Sequence, residues 1–254
     1  MLFLIRQSLN SCLKKNHELA LQQIQRRTMS ASPPLPECLV SDHTFIEDSS
    51  APDDYENSAF VYPNVVSESE EEALLVDIKS RMKRRRFERG HWDAVILQYK
   101  ETELVEHDGS LSHTTLDILT RIRSQLAKTH FVKDPHLVWL PSHAIQLRED
   151  GDLKAHVDSV RFSGDLVAGL SLASSCIMRL KPAANEEGEE QDLSKGFVDM
   201  LLEPRSLYAI TGPSRYLYSH ELLGDKAVFA PKNTIVNRED RFSIIFRDAK
   251  KDEQ

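Results

Sequence analysis

Cysteine is scarce in this chain and cannot frame a fold. Cys12, Cys38 and Cys176 are odd in number and scattered over 254 residues. That excludes a disulfide framework and a zinc site built on paired thiolates, and it fits a reducing compartment. Long apolar runs are missing as well: nothing approaches the roughly 20 consecutive apolar residues that a membrane-spanning helix needs. No internal repeat is visible. Acids are nearly absent from residues 1–31, where Arg6, Lys14, Lys15, Arg26 and Arg27 face only Glu18. This segment therefore carries +4 within a net charge of -8, which leaves -12 for the remainder. A remainder so acidic repels the phosphates of duplex DNA except where positive charge is concentrated.

What is present changes character along the chain. The opening Met1-Leu2-Phe3-Leu4-Ile5-Arg6, followed by basic sequence with Ser and Gln, has the composition of a mitochondrial transit peptide over residues 1–31. Arg26-Arg27-Thr28-Met29-Ser30 is the candidate cleavage region, and the destination is the matrix. The apolar run at residues 2–5 is too short for a secretory signal. Residues 32–58 combine Pro33, Pro34, Pro36 and Pro52 with a surplus of Asp, Glu and Ser, and read as a disordered acidic linker. A folded domain is expected over residues 59–248, with a tail at residues 249–254.

Within that domain Ser67-Glu68-Ser69-Glu70 has capping-box form, and Leu74, Leu75, Ile78 and Met82 keep helical spacing behind it. The helix runs into Lys83-Arg84-Arg85-Arg86, cations that suit its C-terminal dipole; a solvated helix end explains them better than a nucleic-acid contact. His91-Trp92-Asp93 leads into a short strand at residues 94–97. A second helix is predicted over residues 114–128, with Leu116, Leu119, Ile122 and Leu126 on its buried face. Short apolar runs then alternate with turns at residues 137–140, 144–147, 167–172, 176–180, 197–202, 207–210 and 242–246. Residues 183–195, rich in Glu, Gly and Asn, read as an exposed hairpin loop. The fold class is mainly β with N-terminal helices, an antiparallel sandwich or barrel.

Chemistry enters at Lys154-Ala155-His156-Val157-Asp158. In a strand, side chains two apart share a face, so His156 and Asp158 can offer an imidazole nitrogen and a carboxylate oxygen to one point. With His220 the set becomes two histidines and one carboxylate, the facial triad of non-heme iron(II) oxygenases, whose opposite face stays open. His-x-Asp alone is a weak signal. The last apolar run adds to it: in Arg241-Phe242-Ser243-Ile244-Ile245-Phe246-Arg247, alternation puts Phe242, Ile244 and Phe246 on one face and both arginines on the other. The arginines either reach water at the strand ends or, inside a small barrel, require an anion.

Together these segments resemble the AlkB-like Fe(II)/2-oxoglutarate-dependent dioxygenases. The resemblance rests on His156-x-Asp158, His220 and Arg241 with Arg247, in that order. Ala168-Gly169-Leu170-Ser171-Leu172, Leu201-Leu202-Glu203-Pro204 and Ser214-Arg215-Tyr216 support it. It implies a double-stranded β-helix, or jelly roll, with iron(II) held by His156, Asp158 and His220. 2-Oxoglutarate would be bound by Arg241 at its distal carboxylate, by Arg247 nearer the chelating end, and by the Tyr208 phenol. The implied reaction couples decarboxylation of 2-oxoglutarate to succinate with oxidation of a substrate C–H bond by O2. Two departures matter. The final strand has Ser243 and Ile245 where the family often has Asn and Thr, and Gln146-Leu147-Arg148-Glu149-Asp150-Gly151 replaces the common Asn-x-Tyr-x-x-Gly. Hydroxyl and amide contacts to the cosubstrate must then come from elsewhere.

Residues 60–136 offer two helices and no obvious aromatic platform for a flipped base. The expected substrate is therefore a protein side chain or small metabolite rather than duplex DNA, with RNA the alternative if residues 83–86 face the site. The resemblance also implies a part in mitochondrial metabolism and programmed necrotic cell death. The expected state is a monomer. A zinc-dependent hydrolase and a non-catalytic interaction protein are the readings from other classes; the paired arginines argue against the first and the intact triad against the second.

Overall fold

The computed structural model describes residues 38–90, 95–131, 134, 136–183 and 196–250. The predicted transit peptide, His91-Trp92-Asp93 and nearly all of the predicted loop at residues 183–195 lie outside the described residues.

Helix α1 (Glu68–Met82) starts where its capping box places it. The Glu70 amide donates to the Ser67 hydroxyl at 3.2 Å while the Ser67 amide donates to the Glu70 carboxylate at 2.8 Å. Leu74, Ile78 and Met82 form its buried stripe. Helix α2 (His113–His130) is capped by Ser112, whose hydroxyl accepts from the Thr115 amide at 3.2 Å, and buries Ile118, Leu119, Ile122 and Leu126. The helices are tied by Asp77, which accepts from the Ser112 amide and hydroxyl at 2.8 Å, and by an Arg121–Glu70 ion pair at 2.9 Å. No helix among the described residues is long and apolar enough to cross a membrane.

Both helices back a six-stranded antiparallel sheet of β2 (Ala59–Tyr62), β8 (Leu207–Ile210), β5 (Ser163–Leu172), β12 (Arg241–Ala249), β4 (His143–Leu153) and β3 (Ile96–Glu103), in that spatial order. Facing it is a four-stranded sheet of β1 (Ile46–Glu47), β7 (Val198–Leu202), β6 (Cys176–Pro182) and β9 (Tyr218–Leu222). A hairpin of β10 (Ala227–Phe229) and β11 (Thr234–Val236) completes the strands among the described residues. This is the expected jelly-roll core. One apolar cluster fills the space between helices and large sheet, and a second fills the space between sheets. Strand β12 divides its residues between them by parity: Phe242, Ile244 and Phe246 join the first and Ile245 the second. Arg241, Ser243 and Arg247 share the parity of Ile245, so the strand aims both arginines toward the space between sheets.

Three expectations need correction. From Cys38 the chain is folded rather than linker: Phe45, Ile46 and Tyr55 are buried, and β1 pairs with β7. The predicted strand at residues 137–140 is a single bridge, Trp139 to Asp248, beside the end of β12. Strand β12 itself runs through Ala249, one residue into the predicted tail. Shorter elements escaped prediction altogether, among them β1, β2, β9, β10, β11 and helix α3 (Gly212–Tyr216), because two to five residues hold too little periodicity to read.

Candidate metal centre

Strand β4 reaches the site by an irregular path. Leu97 pairs with Asp152 and Tyr99 with Leu147, so residues 148–151 are looped out of the ladder opposite Gln98. Such a bulge bends its strand. Gly151 sits where no side chain fits, since a Cβ would lie 2.7 Å from Leu147 Cδ1 and 2.9 Å from the Leu97 carbonyl. The Glu149-Asp150-Gly151-Asp152 turn is thus part of β4, which ends at Leu153.

Beyond that end the chain leaves the large sheet and meets β9. His156 and His220 form an isolated antiparallel bridge, the His156 amide donating to the His220 carbonyl at 3.1 Å and the His220 amide to the His156 carbonyl at 2.8 Å. The two imidazoles are thereby set side by side, ring centroids 4.2 Å apart. Asp158 follows outside any strand, so His156 and Asp158 are brought together by one bridge and a loop, not by the continuous strand expected from alternation.

One potential ligand atom from each of His156, Asp158 and His220 lies within 4.8 Å of the other two. The His156 Nδ1–H donates to the Lys154 carbonyl at 2.8 Å, which leaves Nε2 unprotonated for a metal. His220 is buried, and its Nδ1 has no hydrogen-bond partner among the described residues. Burial, then the neighbouring His156, hold the His220 imidazole at about 3. Burial pushes the Asp158 carboxyl up, but the Arg247 guanidinium, then His220 and His156, outweigh it and hold the carboxyl at about 2. Asp158 and His220 are thereby ready ligands at neutral pH. A carboxylate and two imidazoles, one with an orphaned buried nitrogen, fit a divalent iron, and the protein backs the carboxylate with Arg247, which donates to Asp158 Oδ1 at 3.1 Å.

Between the sheets lies a second polar group. Arg241 is only 8% exposed; it donates from Nη2 to the Ser171 hydroxyl at 2.7 Å, and its Nε has no partner among the described residues. It forms no ion pair with an acid among the described residues. The alternative that both arginines run to water therefore fails, since Arg241 is buried and Arg247 is paired to Asp158. A buried guanidinium without a counter-charge is costly. Tyr208 is buried on β8 directly opposite Gly169 of β5. Its ring closes on that glycine: a Cβ at Gly169 would stand 2.3 Å from Tyr208 Cε1. Burial, then the charge of Asp158, pushes the phenol up to about 12, so it stays a proton donor. Cys176 is buried beside Arg241, and Ser243 is buried on the same face of β12.

Sequence reasoning brought together the triad, Tyr208 and both arginines. It missed Gly169 as the neighbour of Tyr208, and Ser171 and Cys176 as neighbours of Arg241. The only signal for the first two was their place in the Ala168 to Leu172 motif.

The chain is 37% identical to alpha-ketoglutarate-dependent dioxygenase alkB homolog 7, mitochondrial, of Mus musculus over 191 residues, which is 75% of this chain and 78% of that protein. The Bos taurus protein of the same name is 37% identical over 193 residues, 76% of this chain and 79% of that one. No protein-family model matches. Among solved structures, a Trichoplax adhaerens prolyl hydroxylase in complex with a hypoxia inducible factor oxygen degradation domain peptide fragment superposes with a TM-score of 0.53. That match covers 76% of this chain and 84% of the hydroxylase. At 10% identity the likeness concerns the fold alone.

Proposed function

We propose that this chain, which belongs to the alkB homolog 7 family of alpha-ketoglutarate-dependent dioxygenases, holds its iron(II) on His156, Asp158 and His220 and its cosubstrate on Tyr208, Arg241 and Arg247. It is a mitochondrial Fe(II)/2-oxoglutarate-dependent dioxygenase that uses O2. Within the mitochondrion we place it in the matrix, as a monomer, in keeping with the basic N-terminal segment.

The observation that carries the site assignment is the buried Arg241, unpaired by any acid among the described residues, in the same interior as a facial donor set. A dicarboxylate satisfies both. Iron(II) with 2-oxoglutarate supplies the O2 activation that couples decarboxylation to oxidation of a C–H bond. The chain's own groups do the rest. Arg241 takes the distal carboxylate in its fork, Tyr208 donates its phenol proton to the same end, and Arg247 fixes the Asp158 carboxylate and stands nearest the chelating end. A zinc hydrolase has no use for a buried guanidinium at this depth, and a non-catalytic partner has no use for an intact donor set.

For the substrate we favour a protein side chain or small metabolite. Exposed Val160 and Phe162 follow Asp158, with exposed Arg161 over the Phe162 ring, and exposed Tyr216 and Leu217 precede His220, so most of the exposed side chains flanking the ligands are apolar. RNA is the second reading, favoured by exposed Lys83, Arg84, Arg85 and Arg86 and by Lys100 and Arg148, which both lie over the Phe87 ring. A part in metabolism and programmed necrotic cell death rests on kinship alone.

The test is an anaerobic titration of the iron(II)-loaded full chain with 2-oxoglutarate, read by the weak visible charge-transfer band of the chelate. The band should vanish in Asp158→Ala and demand far more 2-oxoglutarate in Arg241→Ala. Tight zinc binding without a band would promote the hydrolase. Succinate release across candidate peptides, metabolites and RNAs then decides the substrate.

A further inference from the structure

Arg215 is among the largest fully buried side chains, 1% exposed, on the five-residue helix α3 just before β9. It forms no ion pair with an acid among the described residues. Its guanidinium instead spans the loop that carries the metal carboxylate: Nη1 donates to the Asp158 carbonyl at 2.9 Å, and Nη2 donates to the Ser159 carbonyl at 3.3 Å and the Ser163 hydroxyl at 2.8 Å. Ser163 Oγ in turn donates to the Ser159 carbonyl at 3.0 Å. The next residue holds the far end of the same loop, the Tyr216 hydroxyl donating to Asp165 Oδ1 at 2.7 Å and the Gly164 carbonyl at 3.2 Å.

The loop needs such a clamp. After β4 ends at Leu153, His156 alone is paired across to β9, and the backbone of Asp158 has no strand neighbour. Arg247 orients the Asp158 carboxylate but says nothing about where its Cα stands. Arg215 fixes the main chain at that point, and α3 is itself anchored by Ser58, whose hydroxyl donates to the Tyr55 carbonyl at 2.7 Å and accepts from the Ser214 amide at 2.9 Å. A buried cation that no acid balances is an expensive way to fill space, and an apolar side chain would fill it more stably. The fork of donors is the property that only arginine supplies.

We infer that Arg215 is a positioning residue of the metal centre, holding the backbone of Asp158 and Ser159 so that the Asp158 carboxylate meets the two histidines in ligand geometry. The inference rests on the metal-site reading above and deepens it. Removing support behind a ligand typically weakens metal binding by about 10–100-fold.

The experiment is cobalt(II) titration of the metal-free full chain, read by visible ligand-field absorption, with melting temperature followed in parallel. Arg215→Met should weaken cobalt binding at least tenfold and alter the absorption bands at temperatures where the protein is folded. Arg215→Lys should recover only part of the affinity. Added ethylguanidine should restore binding in Arg215→Ala. Ser163→Ala, which removes one acceptor and little volume, should weaken binding a few-fold with near-normal melting. Wild-type affinity and bands in folded Arg215→Met overturn the inference. If Arg215→Met does not fold, wild-type binding by Ser163→Ala overturns it instead. A wild-type chain that binds no cobalt, like Asp158→Ala, overturns the metal-site reading and this inference with it, an outcome distinct from both others.

Discussion

Gly169 sets how closely the Tyr208 ring approaches β5. Because Tyr208 lies over it with no room for a Cβ, Gly169→Ala must push the phenol out of the sheet's interior face, while backbone pairing of β5 with β8 and β12 can persist. If Tyr208 donates to 2-oxoglutarate, the substitution should raise the cosubstrate concentration for half-saturation about tenfold, the equivalent of about 1.4 kcal/mol. Tyr208→Phe should match it, and the double variant should be no worse than either. Additive losses in the double variant would mean the glycine acts by another route. The His156/Asp158 pair and the arginine pair were legible because their spacing is short-range, one residue between the first two and five between Arg241 and Arg247, whereas His220 lies far downstream where spacing alone could not select it. Gly169, Ser171 and Arg215 were not, because their meaning lies in what β8, β12 and the Asp158 loop bring to them.

At the level of elements, Glu71 joins α1 to two turns of the sheets. It is buried on the helix; Oε1 accepts from the Ala173 amide at 2.8 Å and Oε2 from Arg205 Nη1 at 2.9 Å. Ala173 and Arg205 both hold the left-handed conformation, at φ 71 and φ 69, which costs about 1–2 kcal/mol for a residue with a Cβ. One carboxylate therefore secures the β5–β6 and β7–β8 turns at once. Glu71→Ala should cost about 1–3 kcal/mol in urea unfolding, and Ala173→Gly in the same background should recover part of it by relieving the backbone. No recovery would mean that the turn conformation is fixed by other contacts. Periodicity showed α1 as an amphipathic helix and placed its cap, yet it had no means of marking an acid at position 71 as interior. Strands β5 to β8 and β12 were legible from apolar runs. The short β9 was not, although it carries His220, because Tyr218-Ser219-His220-Glu221-Leu222 has too few apolar residues to stand out.

Over the whole molecule, composition misled where average character hid single anchors. Residues 38–58 are acidic and contain Pro52, but Leu39, Phe45, Ile46 and Tyr55 are each buried, too few and too irregularly spaced to show a period. They close the fold: Ile46 pairs with Met200 at the edge of the small sheet, Lys232 lies over the Phe45 ring, and Tyr218 donates to Asp54 Oδ1 at 2.6 Å. Phe45, Ile46 and Tyr55 each contribute about 1.5–3 kcal/mol by burial, so together they approach the about 5–15 kcal/mol that separates a native domain from its unfolded chain. A chain begun at residue 59 should accordingly fail to give soluble, cooperatively melting protein, whereas one begun at Cys38 should melt like the full chain. In the chain begun at residue 59 the β7 edge that β1 covers would also be exposed and invite association. Loss of Ser58 adds a consequence at the metal centre, because the anchor of α3, and through it the grip of Arg215 on Asp158, goes with it. Should the shorter chain nevertheless fold, its cobalt affinity should fall in the same sense as that of Arg215→Met. A folded shorter chain with full affinity would show that residues 38–58 cover the domain without supporting its site.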